Sequence, residues 1–594
     1  MDGCYGRILM VDMTHESFQI EPVAAEVSAE CLGGKGLATH LLLEKNPPGV
    51  DPFAPENHLI FATGPICQSR VWGSSRYGVF TKSPLTRLYV ESYSGGKVPE
   101  AVDAAGFDAV LSTGKASRPS IVAVHPDGAK FFDAADLWGA DTFRTEAEAV
   151  ARAAVATEGY RKPGAVVIGP AGERLLRFAV IENDKWRSAG RGGVGAVMGS
   201  KRLKAVVFQG DRKRGLHDAR GLADYGKAFA AAHADNPGVK AYKALGTTMM
   251  VAIMNKAGAF PARYWAQGTC EHWEKISGQT FHRDNTVTPH ACAKCFMACG
   301  RMATIDQGRH RGLVIEGPEY ETIYAFGGLC MIDQIEEIAY LNDICDRMGM
   351  DTITAGNLCA FTIEAVRRGR LDYDIDYGEV DKIALLLERI ARREGIGDVL
   401  AEGIAHAAAT WQLEDLAIHV KGMEPAGYDP RVLKGMGLAY GTSDRGACHL
   451  RTTFYKPELA GLIPADAIEG KAEMLLDYED RLTIFDTLIL CRFYRDLYTW
   501  EELEKVLGLV TGLPSSKEEL RRKAAAITTM TRRFNLREGL KPEQDRLPKR
   551  LHREALPSGH ALTEAEMERM LQDYYRLRGW DQQGTPPGAG PAGR

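Results

Sequence analysis

The sequence predicts an α+β protein, with its strands gathered in roughly the first third and helices after it. Up to about residue 208, short apolar runs are bounded by Gly- and Pro-rich punctuation. Beyond about residue 210 apolar residues recur at helical spacing. An alternating helix–strand rhythm is mostly missing from the first third, which argues against a Rossmann-type sheet. A chain of 594 residues suggests about three or four domains, and composition divides it at 1–208, 209–420 and 421–583. The Gly/Pro/Ala-rich tail over 584–594 is expected to be disordered.

Strands are predicted over 6–12, 58–63, 77–81, 109–112 and 120–124, each a short apolar run ended by polar or turn residues. The Ala- and Glu-rich stretch 144–156 reads as a helix, as does the amphipathic stretch 217–234. Ile332, Ile335, Ile338, Leu341, Ile344 and Met348 share one helical face, and that helix should end at Gly349. Further helices are expected over 353–368, 380–393, 516–537 and 563–578, and 486–491 lies in an apolar helical stretch.

Composition excludes several classes. With 45% hydrophobic and 25% charged residues this is a globular protein, and its net charge of −5 does not point to nucleic acid, which usually needs a basic face. No apolar run reaches the roughly 18 residues of a membrane span. The N-terminus lacks a secretory pattern and a twin arginine, so a cytoplasmic location is expected. Twelve cysteines are too sparse for a disulfide scaffold.

Three of those cysteines are close together. Residues 290–300 read His-Ala-Cys-Ala-Lys-Cys-Phe-Met-Ala-Cys-Gly, placing Cys292, Cys295 and Cys299 in a two-then-three spacing. Such spacing lets several thiolates point into one small volume, as an iron–sulfur cubane or a zinc ion needs. A cubane takes four cysteines, so one more must come from elsewhere; the alternative is a structural zinc site that includes His290. The spacing is the reverse of the Cys-x3-Cys-x2-Cys found in radical enzymes that use S-adenosylmethionine.

Two glycine-rich stretches precede this run: Ser94-Gly95-Gly96, and the segment around Gly190, Arg191, Gly192, Gly193 and Gly195. The second matches G-x-G-x-x-G, yet residues 182–188 before it are polar and do not read as the required strand. Adjacent glycines still let backbone N–H groups approach an anion, and Arg191 and Lys201 add charge, so a phosphate-bearing cofactor is expected there. Further on, Glu316, Glu319 and Glu321 crowd one turn. Asp346 falls in the last turn of a helix, where the dipole disfavours a carboxylate, which suggests a partner for it. Residues 421–449 are Gly- and turn-rich and carry Tyr428, Asp444, Arg445 and His449, the kind of segment on which sites are built.

Taken together, these segments resemble the tungsten-containing aldehyde:ferredoxin oxidoreductase family from Gly6 to about residue 550. The marks are residues 189–201, the cysteine trio, the stretch 317–322 (Gly-Pro-Glu-Tyr-Glu-Thr) and the stretch 443–449 (Ser-Asp-Arg-Gly-Ala-Cys-His). The resemblance implies a β-rich, pterin-binding first domain and two mainly helical domains, with a tungsten bis-pterin centre at their interface. It implies one [4Fe–4S] cluster on Cys292, Cys295, Cys299 and Cys491. The family's pterin pattern, Asp-x-x-Gly-Leu-Asp/Cys, is matched by Asp346, Gly349 and Asp351, and by Asp486, Leu490 and Cys491. Arg76 matches the arginine that bridges cluster and pterin, while Ser94, Gly95 and Gly96 and the stretch 190–195 would hold the pterin phosphates and their Mg2+. Three positions depart from the pattern: Ile489 replaces a glycine, Met350 a leucine, and Tyr93 an asparagine.

The implied reaction oxidises a small aldehyde to a carboxylic acid and passes electrons through the cluster to ferredoxin or an iron–sulfur subunit. Glu321, with Glu319 second, is the expected proton acceptor; His449 and Tyr428 are the expected hydrogen-bond donors. Some relatives are homodimers. One rival is the branch that reduces the ring of benzoyl-coenzyme A, where a cysteine binds tungsten and Cys330 would take that part. The other is a zinc-stapled or electron-transfer subunit without turnover. Tungsten and molybdenum are not separable from the protein residues alone.

Overall fold

A computed structural model describes residues 1–156, 160 and 163–588. Of the tail expected to be disordered, residues 589–594 lie outside the described residues. The architecture is α+β: of the fifteen strands among the described residues, twelve lie before residue 210. The chain forms two compact units. The first comprises Met1–Val239, Ala291–Met297 and Asp480–Gly539; the second comprises Lys240–His290, Ala298–Glu479 and Leu540–Arg594.

The first unit holds β1 (Arg7–Asp12), β2 (Ser17–Pro22), β3 (Leu59–Ala62), β4 (Tyr77–Lys82), β5 (Tyr89–Ser94) and β6 (Ala109–Thr113) in one sheet. A second sheet holds β7 (Ser120–His125), β8 (Gly128–Asp133), β9 (Gly164–Val167), β10 (Ile181–Asn183), β11 (Arg187–Ala189) and β12 (Leu203–Phe208). Their orders are β2-β1-β6-β3-β4-β5 and β11-β10-β9-β12-β7-β8. Each sheet has one parallel pair, β1 with β6 and β7 with β12. β4 shows why these strands read as unbroken apolar runs: all six of its residues are buried. Tyr77 and Val79 pack with Phe61, Val206 and Phe208 on one side. Phe80 packs on the other with Leu37, Leu41, Tyr89 and Phe534. Burial of each such side chain contributes about 1.5–3 kcal/mol, so a strand covered on both faces needs no polar alternation. β2 was not legible because it is almost entirely exposed, with Phe18 and Ile20 open to solvent.

The polar stretch 182–188, expected not to be a strand, is a tight antiparallel hairpin of β10 and β11. Asn183 pairs with Arg187 across a three-residue turn, in which Asp184 and Lys185 have left-handed φ of 49° and 66°. This does not restore a dinucleotide motif. β11 is an edge strand three places from β12 in the sheet, so the following helix, Val194–Ser200, does not close a parallel βαβ crossover.

In the second unit, helices Ile335–Met348, Thr352–Arg367 and Val380–Arg392 follow the expected spans closely. The sequence reading missed a three-stranded sheet of β13 (Thr286–His290), β14 (Gly300–Thr304) and β15 (Val314–Glu316). β13 and β14 pair with His290 opposite Gly300, which makes the cysteine run the loop of a hairpin. After β15 comes a short helix, Tyr320–Thr322, which widens into a π-helical segment, Ile323–Leu329. Such widening recurs at functional sites.

Candidate active site

In the first unit the loop around Gly73 gathers three of the four predicted cluster cysteines. The Gly73 N–H donates to the Lys294 carbonyl, and the Cys491 N–H donates to the Gly73 carbonyl, both at 3.0 Å. Gly73, at φ 85°, cannot carry a side chain, since a Cβ would lie 2.7 Å from the Tyr494 ring. Arg76 donates from Nη2 to the Tyr93 carbonyl (3.1 Å) and directs Nη1 toward Cys491 Sγ (3.9 Å). The Tyr494 hydroxyl accepts from the Phe296 N–H (3.0 Å) and lies 3.4 Å from Cys295 Sγ. Cys292 Sγ receives the Gly96 N–H (3.2 Å) and Arg187 Nη1 (3.1 Å). Burial pushes the Cys292 thiol up, and Arg187 and Arg76 oppose this. Cys299 belongs to the second unit, where its carbonyl lies against Gly246 and accepts from Arg301 Nε at 3.4 Å. His290 is turned to Glu316, Nδ1 to Oε1 being 3.1 Å. Among the described residues, no three His, Cys, Asp or Glu side chains are gathered as ligands of one ion. A cubane does not ask for that, since its four cysteines are spread over a cluster of several irons.

The glycine stretches prove to be packing devices first. A Cβ on Gly193, Gly195 or Gly199 would lie 2.2, 2.1 or 1.9 Å from the carbonyls of Arg177, Val180 and Gly172. The Gly192 carbonyl accepts from the Ser83 hydroxyl (2.7 Å), and the Arg191 N–H donates to Ser92 Oγ (3.2 Å). Gly190 meets only its neighbour Ser188. Lys201 corrects an expectation. It ends the helix Val194–Ser200 at the opposite end from Gly193 and donates to the Pro55 carbonyl at 3.1 Å, and burial brings its pKa down to about 7. Its ammonium is thus turned to Pro55 rather than toward Gly190–Gly195. The Ser94 hydroxyl donates to Asn183 Oδ1 (2.6 Å), and Asn183 Nδ2 donates to the Gly95 carbonyl (3.0 Å).

Both Asp motifs end helices. Asp346 accepts from Asn342 Nδ2 (2.8 Å), and burial, then neighbouring Asp343, pushes its carboxyl far above the usual range. Gly349 takes φ 79° to close that helix. Asp351 caps the next one by accepting from the Ile353 N–H (3.0 Å); Thr354 Oγ1 lies between it and buried Glu424, 3.0 Å from Asp351 Oδ2 and 2.8 Å from Glu424 Oε2. In the first unit Asp486 is paired with Arg492, and the Leu490 N–H donates to the Phe485 carbonyl (2.8 Å).

The second unit brings three of the four predicted catalytic residues together. Glu321 Oε2 accepts from the Gly427 N–H (2.9 Å), and Oε1 lies 3.5 Å from His449 Nε2. The Tyr428 ring lies 5.6 Å from the His449 ring and stacks on Tyr455 at 4.1 Å. Burial, together with the neighbouring Glu321 carboxylate, holds the hydroxyls of Tyr320, Tyr428 and Tyr440 far above their usual range, so they stay neutral donors. Glu319 is not part of this group: it accepts from the Thr247 hydroxyl, whose Oγ1 in turn accepts from the Tyr320 N–H (2.9 Å). Cys330 lies in the apolar interior, its Sγ donating to the Gly356 carbonyl (3.3 Å). The sequence reading missed Asn183, Arg187, Arg492, Tyr494, Tyr455 and Glu424, none of which lies in a recognisable spacing, and it passed over Tyr320 inside the stretch 317–322.

Several buried polar atoms suit a large polar cofactor. Arg492 Nη1 and Ser74 Oγ in the first unit, and Ser443 Oγ, Thr452 Oγ1 and Thr453 Oγ1 in the second, have no hydrogen-bond partner among the described residues. Buried groups of this kind are normally satisfied, and a pterin with its phosphates offers both donors and acceptors. The donor set therefore fits such a group.

The aldehyde ferredoxin oxidoreductase N-terminal domain matches residues 8–210, and domains 2 and 3 of aldehyde ferredoxin oxidoreductase match residues 224–589. The chain is 34% identical over 607 residues to the tungsten-containing aldehyde ferredoxin oxidoreductase of Pyrococcus furiosus, covering 99% of this chain and 98% of that one. It is 27% identical to the aliphatic sulfonate oxidoreductase, WOR-like subunit, of the same organism, covering 98% and 95%. Its fold is shared with the active site complex BamBC of benzoyl coenzyme A reductase in complex with 1,5 dienoyl-CoA (TM-score 0.84, 22% identity, 98% and 96% covered). Fold and matches place the chain among oxidoreductases. It belongs to the aldehyde ferredoxin oxidoreductase family.

Proposed function

We propose that the protein oxidises small aldehydes to carboxylic acids (RCHO + H2O → RCOOH + 2 e− + 2 H+). The observation that carries this is the convergence of Glu321, His449 and Tyr428 around one carboxylate fixed by the Gly427 N–H. A tungsten bis-pterin would supply the two-electron chemistry, and a [4Fe–4S] cluster would pass the electrons on singly. Asp346, Gly349 and Asp351, with Asp486, Arg492 and Leu490, would hold the pterins. The Ser94–Gly96 and Gly190–Gly195 backbones would face their phosphates and Mg2+, while Cys292, Cys295, Cys299 and Cys491 would hold the cluster.

The chain's own residues have distinct tasks. The Gly427 N–H anchors one Glu321 oxygen and leaves the other to take a proton from water as the carbonyl carbon becomes tetrahedral. His449 Nε2, 3.5 Å from that oxygen, is placed to donate to the aldehyde oxygen and to exchange a proton with Glu321. The Tyr428–Tyr455 stack holds the phenol beside His449. A ferredoxin or an iron–sulfur subunit would accept the electrons. The ring-reducing alternative needs Cys330 as a metal thiolate; its hydrogen bond to Gly356 and a thiol pushed far up by burial favour a core cysteine instead.

Metal and pterin analysis of anaerobically purified protein, with dye-coupled oxidation of acetaldehyde and benzaldehyde, tests the reading. Tungsten, about four irons per chain and turnover are expected. Glu321→Gln and His449→Ala should each lower kcat by about 10²–10⁴-fold with metal retained. Tungsten without aldehyde oxidation would overturn it.

A further inference from the structure

We infer that Arg187 sets the reduction potential of the proposed iron–sulfur cluster, holding it up through a charged hydrogen bond to the Cys292 sulfur. The inference rests on the cluster reading above.

The geometry is built rather than incidental. Arg187 opens β11 directly after a turn in which Asp184 and Lys185 both have left-handed φ. Such residues cost of order 1 kcal/mol or more each and persist only where the surroundings over-determine them. Here the surroundings do. Glu146 accepts both turn N–H groups, from Asp184 at 2.9 Å and Lys185 at 2.8 Å. The Asp184 carboxylate accepts the N–H groups of Lys97 (2.7 Å) and Val98 (3.2 Å) and Asn183 Nδ2 (3.1 Å). Trp186, between them, packs edge-on against Phe143 at 5.8 Å.

Gly96 ties this hairpin to the thiol. At φ 103° a Cβ there would lie 2.1 Å from Asp184 Oδ2 and 3.1 Å from Arg187 Cδ. A Cβ on Gly95 would lie 3.0 Å from Cys292 Sγ. Both positions must therefore be glycine for the hairpin to close on the cysteine. The result is a sulfur met by a backbone N–H at 3.2 Å and a guanidinium at 3.1 Å. Cys295 is approached by the neutral Tyr494 hydroxyl at 3.4 Å, and Cys491 by Arg76 at 3.9 Å. The charged contact at Cys292 is thus shorter than the one Arg76 makes to Cys491.

Hydrogen bonds to cluster sulfurs and local net charge are what tune such centres. Reduction adds one electron, and thus one negative charge, to the cluster and its thiolates. A cation 3.1 Å from a ligating sulfur favours that reduced form, so removing it must move the potential down.

The test is an EPR-monitored redox titration of anaerobically purified holoenzyme, wild type against Arg187→Met and Arg187→Lys, with iron counted in each. Arg187→Met should keep its iron and lower the equilibrium constant for reduction roughly tenfold, which is about 59 mV for a one-electron couple. Arg187→Lys, which keeps the charge but not the fork, should fall between the two. An unchanged midpoint in iron-replete Arg187→Met would overturn the inference. If that variant loses its iron, Arg187→Gln takes its place: a lowered midpoint supports the inference and an unchanged one overturns it. Iron loss from both neutral variants would also overturn it, since Arg187 would then be holding the loop rather than tuning the centre. Wild type that carries no iron would sink the cluster reading instead.

Discussion

The two Asp motifs are the same turn built from different residues. In the second unit the Met350 N–H donates to the Cys345 carbonyl at 2.9 Å; in the first, the Leu490 N–H donates to the Phe485 carbonyl at 2.8 Å. Each is the six-to-one closure of a helix end, and each puts its fourth residue in the left-handed region. That residue is Gly349 (φ 79°) in one and Ile489 (φ 59°) in the other. An isoleucine there costs about 1–2 kcal/mol, whereas burying its side chain, only 1% exposed, contributes about 2–3 kcal/mol. Burial outweighs strain, so the turn survives loss of its usual glycine. The carboxylates differ in a second way. Asp486 faces a guanidinium, while Asp346 faces an amide with Asp343 nearby. One site is built for a charged acid and the other for an acid that keeps its proton.

Substitutions can break this contrast. The largest effect is expected from Asp486→Ala, which strands the buried Arg492 charge and should cost about 3–5 kcal/mol in urea unfolding of the full chain. Ile489→Gly follows: relief of strain offsets part of a cavity cost of about 3–4 kcal/mol, leaving a net loss of about 2 kcal/mol. A stabilised Ile489→Gly would show that strain, not burial, dominates. Gly349→Ala should lose about 1 kcal/mol in the same assay, because a Cβ enters a left-handed turn.

The smallest effect depends on pH. The folded Asp346 carboxyl lies far above its unfolded value, so its protonation favours the native state below about pH 4, and that contribution is lost as pH rises toward the folded value. Asp346→Asn removes this dependence. In the cofactor-free chain the variant should match wild type near pH 4 and exceed it at pH 8. A gap that shrinks with rising pH would contradict the assignment.

How much of this was legible depends on whether a feature is local. The helix ending at Gly349 could be read because its apolar residues and its glycine are close in sequence. The cysteine trio could be read for the same reason, but the hairpin it caps could not, since β13 and β14 are short and mostly polar on their exposed face. Arg187 stayed hidden because it faces Cys292 from 105 positions away, and only the folding of β10 against β11 aims it there. The glycines of 190–195 were read as an anion cradle; that Gly193 and Gly195 also serve close packing was hidden, because the carbonyls of Arg177 and Val180 that exclude their Cβ atoms come from other segments.

By itself, then, the sequence determined the α+β division, the main helices with their ends and the residue types able to bind metal, because these follow from spacing and propensity along the chain. Only the tertiary structure decided that Glu321 joins His449 and Tyr428 while Glu319 turns to Thr247, that Lys201 is spent on a carbonyl, and that Cys330 is sealed in the core. Those outcomes depend on which distant backbone group each side chain meets once water has been excluded, and on the cost of burying it unpaired.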